Sequence, residues 1–88
     1  MAAKEKWILG IHVSNQVKEI HKVQPILTKF GCSIKTRLGI HDICDEFPNS
    51  RGLLLIELTG NPAEFPKLEN ELLSIDGLDV RKMVFPVE

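Results

Sequence analysis

The sequence predicts an α+β domain in which a four-stranded antiparallel sheet carries two helices on one face. Three observations support this fold class. The stretch Cys32–His41 alternates between two sets of side chains, as a strand with two different faces does. Gly52–Gly60 is a nearly continuous apolar run, which is typical of a central strand. Helix-start signals follow the first predicted strand and the strand Gly52–Gly60.

Composition limits the classes of protein to consider. The 88 residues correspond to one domain, 6–88, after a short disordered tail, 1–5. A net charge of −1 gives little attraction to nucleic acid or to an anionic membrane. Two cysteines are too few for a disulfide framework, and no signal peptide or membrane-spanning run is visible. We therefore expect a soluble, cytoplasmic protein that binds neither nucleic acid nor membrane directly.

The first half of the chain predicts a strand, a helix and the alternating strand Cys32–His41. Lys6–Val13 alternates, with its odd-numbered residues more apolar. Ser14 and Asn15 are preferred N-cap residues, so a helix is expected to begin there and to end at Gly31 as a left-handed C-cap. Pro25 lies inside this helix and should bend it.

The second half predicts a strand, a helix and a strand. After Gly52–Gly60, the stretch Asn61–Glu64 reads as a helix start, with Asn at the cap and Pro at the first position. Leu78–Val87 is the last strand. The order β-α-β-β-α-β, with right-handed crossovers, gives a sheet of order 4-1-3-2 with both helices on one face. This is the ferredoxin-like arrangement.

Two helices leave the other face of the sheet uncovered. Strand alternation assigns to the helix side Trp7, Leu9, Ile11, Ile34, Leu38, Leu54, Ile56 and Leu58. It assigns to the open side Ile8, His12, Arg37, His41, Leu53, Leu55 and Glu57, joined by Met83 or Phe85. An open face is normally polar, and an apolar patch usually marks an interface.

The sequence therefore predicts self-association, as a dimer or a tetramer, through the open face. The predicted interface residues are Ile8, His12, Leu53, Leu55 and Glu57. The alternative is that a bulge inverts the alternation of one strand and makes the patch smaller.

Short motifs along the chain resemble a known family. Arg37–Ile40 on the second predicted strand, Arg51-Gly52 before the third, Gly60 at its end and Leu78–Val80 in the last strand are similar to the ACT-like family of iron-only hydrogenase system regulators. The resemblance spans Trp7–Phe85. It implies an ACT-like, ferredoxin-like fold, related to ACT regulatory domains and to the C-terminal domain of nickel-responsive repressors. It also implies a small ligand- or metal-sensing module that works as an oligomer.

The sequence departs from those relatives at two points. Amino-acid-binding ACT domains carry a glycine in the loop after the first strand, whereas here that loop, Val13–Gln16, has none. Nickel-responsive repressors carry a DNA-binding segment before the domain, whereas about six residues precede the first strand here. If the protein regulates transcription, another chain must contact the DNA.

The candidate effector site combines the first loop with the second strand. Ser14 and Asn15 head the predicted first helix, whose free N–H groups favour a carboxylate or phosphate, although plain capping explains the same residues. With Gln16, Arg37 and Gly39, they form the predicted ligand-binding set, near a subunit boundary. Arg37 could instead pair with Glu57 across the sheet, together with Lys35 and His41.

A metal site is the weaker alternative. Imidazole and thiolate ligands suit zinc or nickel, and His41 and Cys44 lie close in sequence, with His12 as a third candidate. A single His-x-x-Cys motif supplies only two ligands and is much weaker evidence for a metal than a motif with four ligands. A strand that runs into an acidic loop explains the same residues without metal.

Three functional hypotheses follow. The first is a non-enzymatic, homo-oligomeric regulatory module that binds a small effector and has no cofactor. The second is a protein-interaction domain without a small ligand. The third is a nickel or zinc sensor. No nucleophile with a base and no paired carboxylates indicate an enzyme.

Overall fold

The computed structural model describes residues 4–14, 17–41 and 52–87, with only the backbone of 40 and 41. Its strands and helices are β1 (Lys4–Val13), α1 (Val23–Lys29), β2 (Ile34–His41), β3 (Gly52–Leu58), α2 (Phe65–Leu73) and β4 (Asp79–Val87). Short 3₁₀ turns cover Ile20–Lys22, Gly31–Ser33 and Pro62–Glu64. Strand β1 includes Lys4 and Glu5, which the sequence assigned to the tail.

The predicted fold class is confirmed. The four strands form one antiparallel sheet of order β2-β3-β1-β4, which is the predicted order read from the other edge. Both helices pack on the same face, because their buried residues share one core with β1 and β3. This is a ferredoxin-like α+β fold. No helix in the described part of the chain is long and apolar enough to cross a membrane.

The core lies between the helices and one face of the two central strands. It is built on fully buried aliphatic side chains: Leu9, Ile11, Leu27, Ile56, Leu68 and Leu72. At one end of this layer the ring of Trp7 packs against Phe65, with ring centroids 5.6 Å apart. The Lys82 ammonium lies 4.3 Å from the centre of the same Trp7 ring and caps it with a cation–π contact. The alternation predicted for β1 and β3 is therefore correct.

Helix α1 is shorter than predicted. It begins at Val23, not beside Asn15, and residues 17–19 are not helical. The cause is Pro25, which lacks an N–H and would clash with the carbonyl four residues earlier in a helix interior. Starting at Val23 places Pro25 in the first turn, where no such bond is needed. The predicted left-handed cap at Gly31 is also wrong, since its φ is not positive and a 3₁₀ turn follows the helix.

The start of the second helical segment agrees with the sequence. The side chain of Asn61 accepts a hydrogen bond from the Ala63 N–H at 3.0 Å, and Pro62 opens the 3₁₀ turn that leads into α2. Gly60 and Gly77 have φ of 84° and 83°, so the turns on both sides of this segment use the left-handed region.

A bulge in β2 changes which side chains face the helices. Ile34 lies opposite Leu58, but Thr36 already lies opposite Glu57, so one extra residue is inserted at Lys35. Beyond this point the faces of β2 are exchanged relative to the prediction. Leu38, predicted to face the helices, lies on the open face, and Arg37, predicted on the open face, lies on the helix side. The faces predicted for this part of β2 were wrong, because a prediction from alternation assumes that the strand pairs with β3 in one continuous register.

The two adjacent leucines of α2 test this description of the core. Leu72 is fully buried, whereas the Leu73 side chain is 52% exposed. We predict that Leu72→Ala lowers the free energy of unfolding by about 2–5 kcal/mol, because it removes buried methyl groups and leaves a cavity. Leu73→Ala is the matched control and should change it by less than about 1 kcal/mol. Urea unfolding measures both, and equal losses would contradict the assignment.

Candidate functional site

A cavity lies where α1 and the turn before it meet the ends of β2 and β3. Its volume is about 440 Å³, within the usual range for small-molecule sites. It is lined by Val13, Ile20, Val23, Gln24, Arg37, Gly39, Gly52, Leu53 and Leu54. Most of these contribute apolar surface, and Arg37 contributes a charge.

The bulge in β2 places Arg37 at this cavity. Its guanidinium Nη2 donates to Oε1 of Gln24 at 2.7 Å, and the Gln24 amide Nε2 in turn donates to Thr28 Oγ1 at 3.3 Å. Gln24 therefore orients the guanidinium, while Thr28 holds the Gln24 amide. Within the described ranges, no carboxylate pairs with Arg37. An arginine held by a neutral amide keeps most of its donors available for an anion.

The structure brings together part of the predicted effector set. Arg37 and Gly39 line the cavity, and Ser14 directly follows the lining residue Val13. The Ser14 carbonyl accepts from the Val17 N–H at 3.2 Å. Asn15 and Gln16 lie outside the described residues. Whether these residues bind an effector stays a prediction.

Ser14 does not head α1, as the predicted anion site assumed, because the helix N-terminus lies at Val23. Ile20, Val23 and Gln24 line the cavity and were not among the predicted site residues. Pro25 was the available signal, because a proline in the first turn places Val23 and Gln24 at the start of the helix and Ile20 in the turn before it.

The described structure does not include all three candidate metal ligands. His12 is exposed on the open face, opposite Leu53 and Asp79. His41 ends β2 opposite Gly52, and Cys44 lies outside the described residues. Among the residues that are described, no group of three His, Cys, Asp or Glu side chains could hold a metal ion. The metal site stays a prediction.

The open face is more apolar than the sequence indicated. The predicted residues Ile8, His12, Leu53, Leu55 and Glu57 all lie on it by register. They are joined by Leu38, Met83 and Phe85, whose side chains are 53%, 51% and 46% exposed. The bulge thus exchanges a charged residue for an apolar one on this face. A bulge that inverts one strand was the alternative that would make the apolar patch smaller. The bulge in β2 makes the patch larger instead, because it brings Leu38 to this face.

Four charged groups on the open face are paired within the chain. Lys6 Nζ donates to Glu57, and Thr36 Oγ1 donates to the same carboxylate at 3.0 Å. The Arg81 Nε donates to Asp79 at 3.1 Å. These Lys6 and Thr36 bonds hold the pKa of Glu57 below the ordinary value of 4.5, the Lys6 bond being the larger cause. The predicted partner Arg37 does not pair with Glu57, because the bulge moves it to the other face.

Comparison with known proteins shows the fold and no family. No family model matches the sequence, and no curated protein matches it. An uncharacterized protein of Thermotoga maritima is 23% identical, with a TM-score of 0.61 over 97% of this chain and 100% of that one. A functionally unknown protein of Pediococcus pentosaceus is 10% identical, with a TM-score of 0.54 over 99% and 95%. A dimeric ferredoxin-like protein of unknown function from Thermobifida fusca is 16% identical, with a TM-score of 0.46 over 93% and 92%.

The Glu57 carboxylate gives a direct test of the open-face geometry. We predict that Lys6→Met raises the pKa of Glu57, because it removes the larger of the two hydrogen bonds, and that Thr36→Val raises it less. Side-chain carboxyl NMR titration measures both, with Lys67→Met as a control on α2. Because the folded-state pKa is lowered, the stabilisation is complete above about pH 4.5 and is lost as the pH falls through the lowered value. An unchanged Glu57 pKa in Lys6→Met would show that the pair does not form.

Proposed function

We propose that this protein is a non-enzymatic, ACT-like regulatory module that binds a small anionic effector and acts as a homo-oligomer. The observation that carries the proposal is the cavity at Arg37. The family resemblance of Arg37–Ile40 and Leu78–Val80 supports a regulatory role. A cytoplasmic location is part of the same proposal.

The chemistry of the cavity supports recognition of an anion. The guanidinium is charged at all physiological pH values and presents a planar set of donors that fits carboxylate or phosphate. Among the described residues, Gln24 is the hydrogen-bond partner of one Arg37 donor, and the guanidinium has further donors that could receive a ligand. The Arg37 side chain is exposed, so an anion can reach it from solvent.

The described lining residues also support binding without catalysis. Their side chains provide one cation, one amide and apolar surface, and none of them is Ser, Cys, His, Asp or Glu. The usual nucleophiles and general bases come from those residue types. The set is therefore suited to hold a molecule and not to transform it.

The open face supports self-association. Four strands about 4.8 Å apart and about eight residues long, at about 3.3 Å per residue, give a face of about 500 Å². This is close to the area per partner of the smaller specific interfaces. A two-fold contact sets the same surface against itself, so an excess of one charge would repel. The Lys6–Glu57 and Arg81–Asp79 pairs leave these four charges balanced, which fits a second copy as the partner.

Self-association is tested by placing a charge on the open face. Leu38→Glu should convert the oligomer into a monomer, because the new carboxylate would be buried without a partner in the interface. Leu73→Glu is the matched control, since Leu73 is 52% exposed on α2 and Leu38 is 53% exposed. Light scattering across a concentration series gives the mass of each. A wild-type monomer at high concentration, or a dissociated Leu73→Glu protein with an intact Leu38→Glu oligomer, would contradict the proposed interface.

Effector binding is tested by thermal melting with small anions, amino acids, nucleotides, nickel and zinc. At ten times its Kd, an anion that binds only the folded state adds about 1.4 kcal/mol of stability. This raises the midpoint by roughly 5–10 °C in a domain of this size. Arg37→Gln should abolish the shift, whereas Lys67→Gln, which removes a positive charge from the exposed surface of α2, should retain it.

The other hypotheses predict different results in the same panel. A shift with nickel or zinc alone, lost in His41→Ala and Cys44→Ala, would support the metal sensor instead. No shift with any compound would favour the protein-interaction domain.

A further inference from the structure

We infer that the cavity at Arg37 selects a small monocarboxylic acid with a compact apolar tail. This inference rests on the proposed function and specifies its ligand. The ligand class follows from three features of the described cavity: the number of charges, the character of the walls and the glycine on β2.

The charges of the described lining residues favour a ligand with one negative group. Arg37 is the one cation among the described lining residues, and these include no carboxylate. A dicarboxylate or a diphosphate would bring a second negative charge without a partner. An amino acid would bring an ammonium group without a carboxylate to receive it. A second charge would find no oppositely charged partner among the described lining residues, so these residues favour a monoanion without an amino group.

The walls favour an apolar tail. Val13, Ile20, Val23 and Leu54 contribute aliphatic side chains to the lining. An aliphatic tail that covers these walls leaves water, and each buried methylene tightens binding by about fourfold. A simple inorganic anion gains only the contact with Arg37. Affinity should therefore depend on the tail as well as on the charge.

Gly39 contributes no side chain to the cavity, and we assign the tail to this position. It lies on β2 opposite Leu54, on the same side of the sheet as Arg37, and it lines the cavity. Its φ is not in the positive range, so the backbone there accepts an ordinary side chain. A β-branched residue at Gly39 would fit the strand conformation and would project into the space that we assign to the ligand.

The inference is tested by calorimetric titration with a graded series of compounds. Acetate, butyrate and 3-methylbutanoate vary the tail, while 3-methylbutanamide and 3-methylbutylamine keep the branched tail and change the charge. Leucine, succinate and inorganic phosphate complete the series. We expect affinity to rise by about fourfold per methylene from acetate to 3-methylbutanoate. The amide, the amine, leucine and succinate should each bind at least about tenfold more weakly than 3-methylbutanoate.

Two variants separate the parts of the site. Arg37→Gln should remove binding of every carboxylate, and Gly39→Val should weaken 3-methylbutanoate by at least about tenfold while affecting acetate much less. Circular dichroism and the melting midpoint check that both variants fold. Lys67→Gln, which removes a positive charge from the exposed surface of α2, is the charge control and should bind as the wild type does.

The outcomes distinguish this inference from the function on which it rests. Binding of phosphate or succinate that depends on Arg37 but not on tail length would overturn the ligand class and leave the anionic-effector function standing. Binding of leucine tighter than that of 3-methylbutanoate would overturn it in the same way. If no compound binds in a manner that depends on Arg37, both the ligand class and the effector function of this cavity fail.

Discussion

The structure depends on one constraint: two short helices can shield only one face of a four-stranded sheet. The buried core, built on Leu9, Ile11 and Ile56, occupies that single covered layer. The other face exposes Leu38, Met83 and Phe85 to water. In a chain of 88 residues the core is small, so covering this second surface would add substantially to its stability. The proposed self-association follows from this imbalance between the faces.

One inserted residue links the two surfaces that we propose to be functional. The bulge at Lys35 sends Arg37 to the helix side, where Gln24 orients it at the cavity, and sends Leu38 to the open face. Without the extra residue the guanidinium would lie on the open face and the leucine beneath the helices. Leu53 borders the cavity and lies on the open face by register, so the two surfaces meet at one strand. An effector and a second copy would therefore act on neighbouring parts of the same sheet.

The sequence predicted the features that repeat along the chain, and it missed those that depend on a single position. The alternation of Lys6–Val13 and the apolar run after Gly52 determined the two central strands, because many residues agree in each. The bulge at Lys35 is not marked by a glycine or a proline in the sequence. It depends on how β2 pairs with β3, and the sequence of β2 alone does not determine that pairing. The start of α1 was misplaced because the capping residue Ser14 was given more weight than Pro25. The candidate cavity could be predicted only in part, since it needs both corrections.

The most direct measurement of the central claim is the solvent accessibility of individual methyl groups at two protein concentrations. A soluble paramagnetic probe broadens the NMR signals of methyl groups that it can reach. We expect the Leu38 and Met83 methyl groups to be broadened in dilute protein and protected in concentrated protein, with Leu73 broadened in both. Protection of Leu38 in protein that light scattering shows to be monomeric would place it under the helices, and broadening at every concentration would leave the open face uncovered; either result would contradict this account.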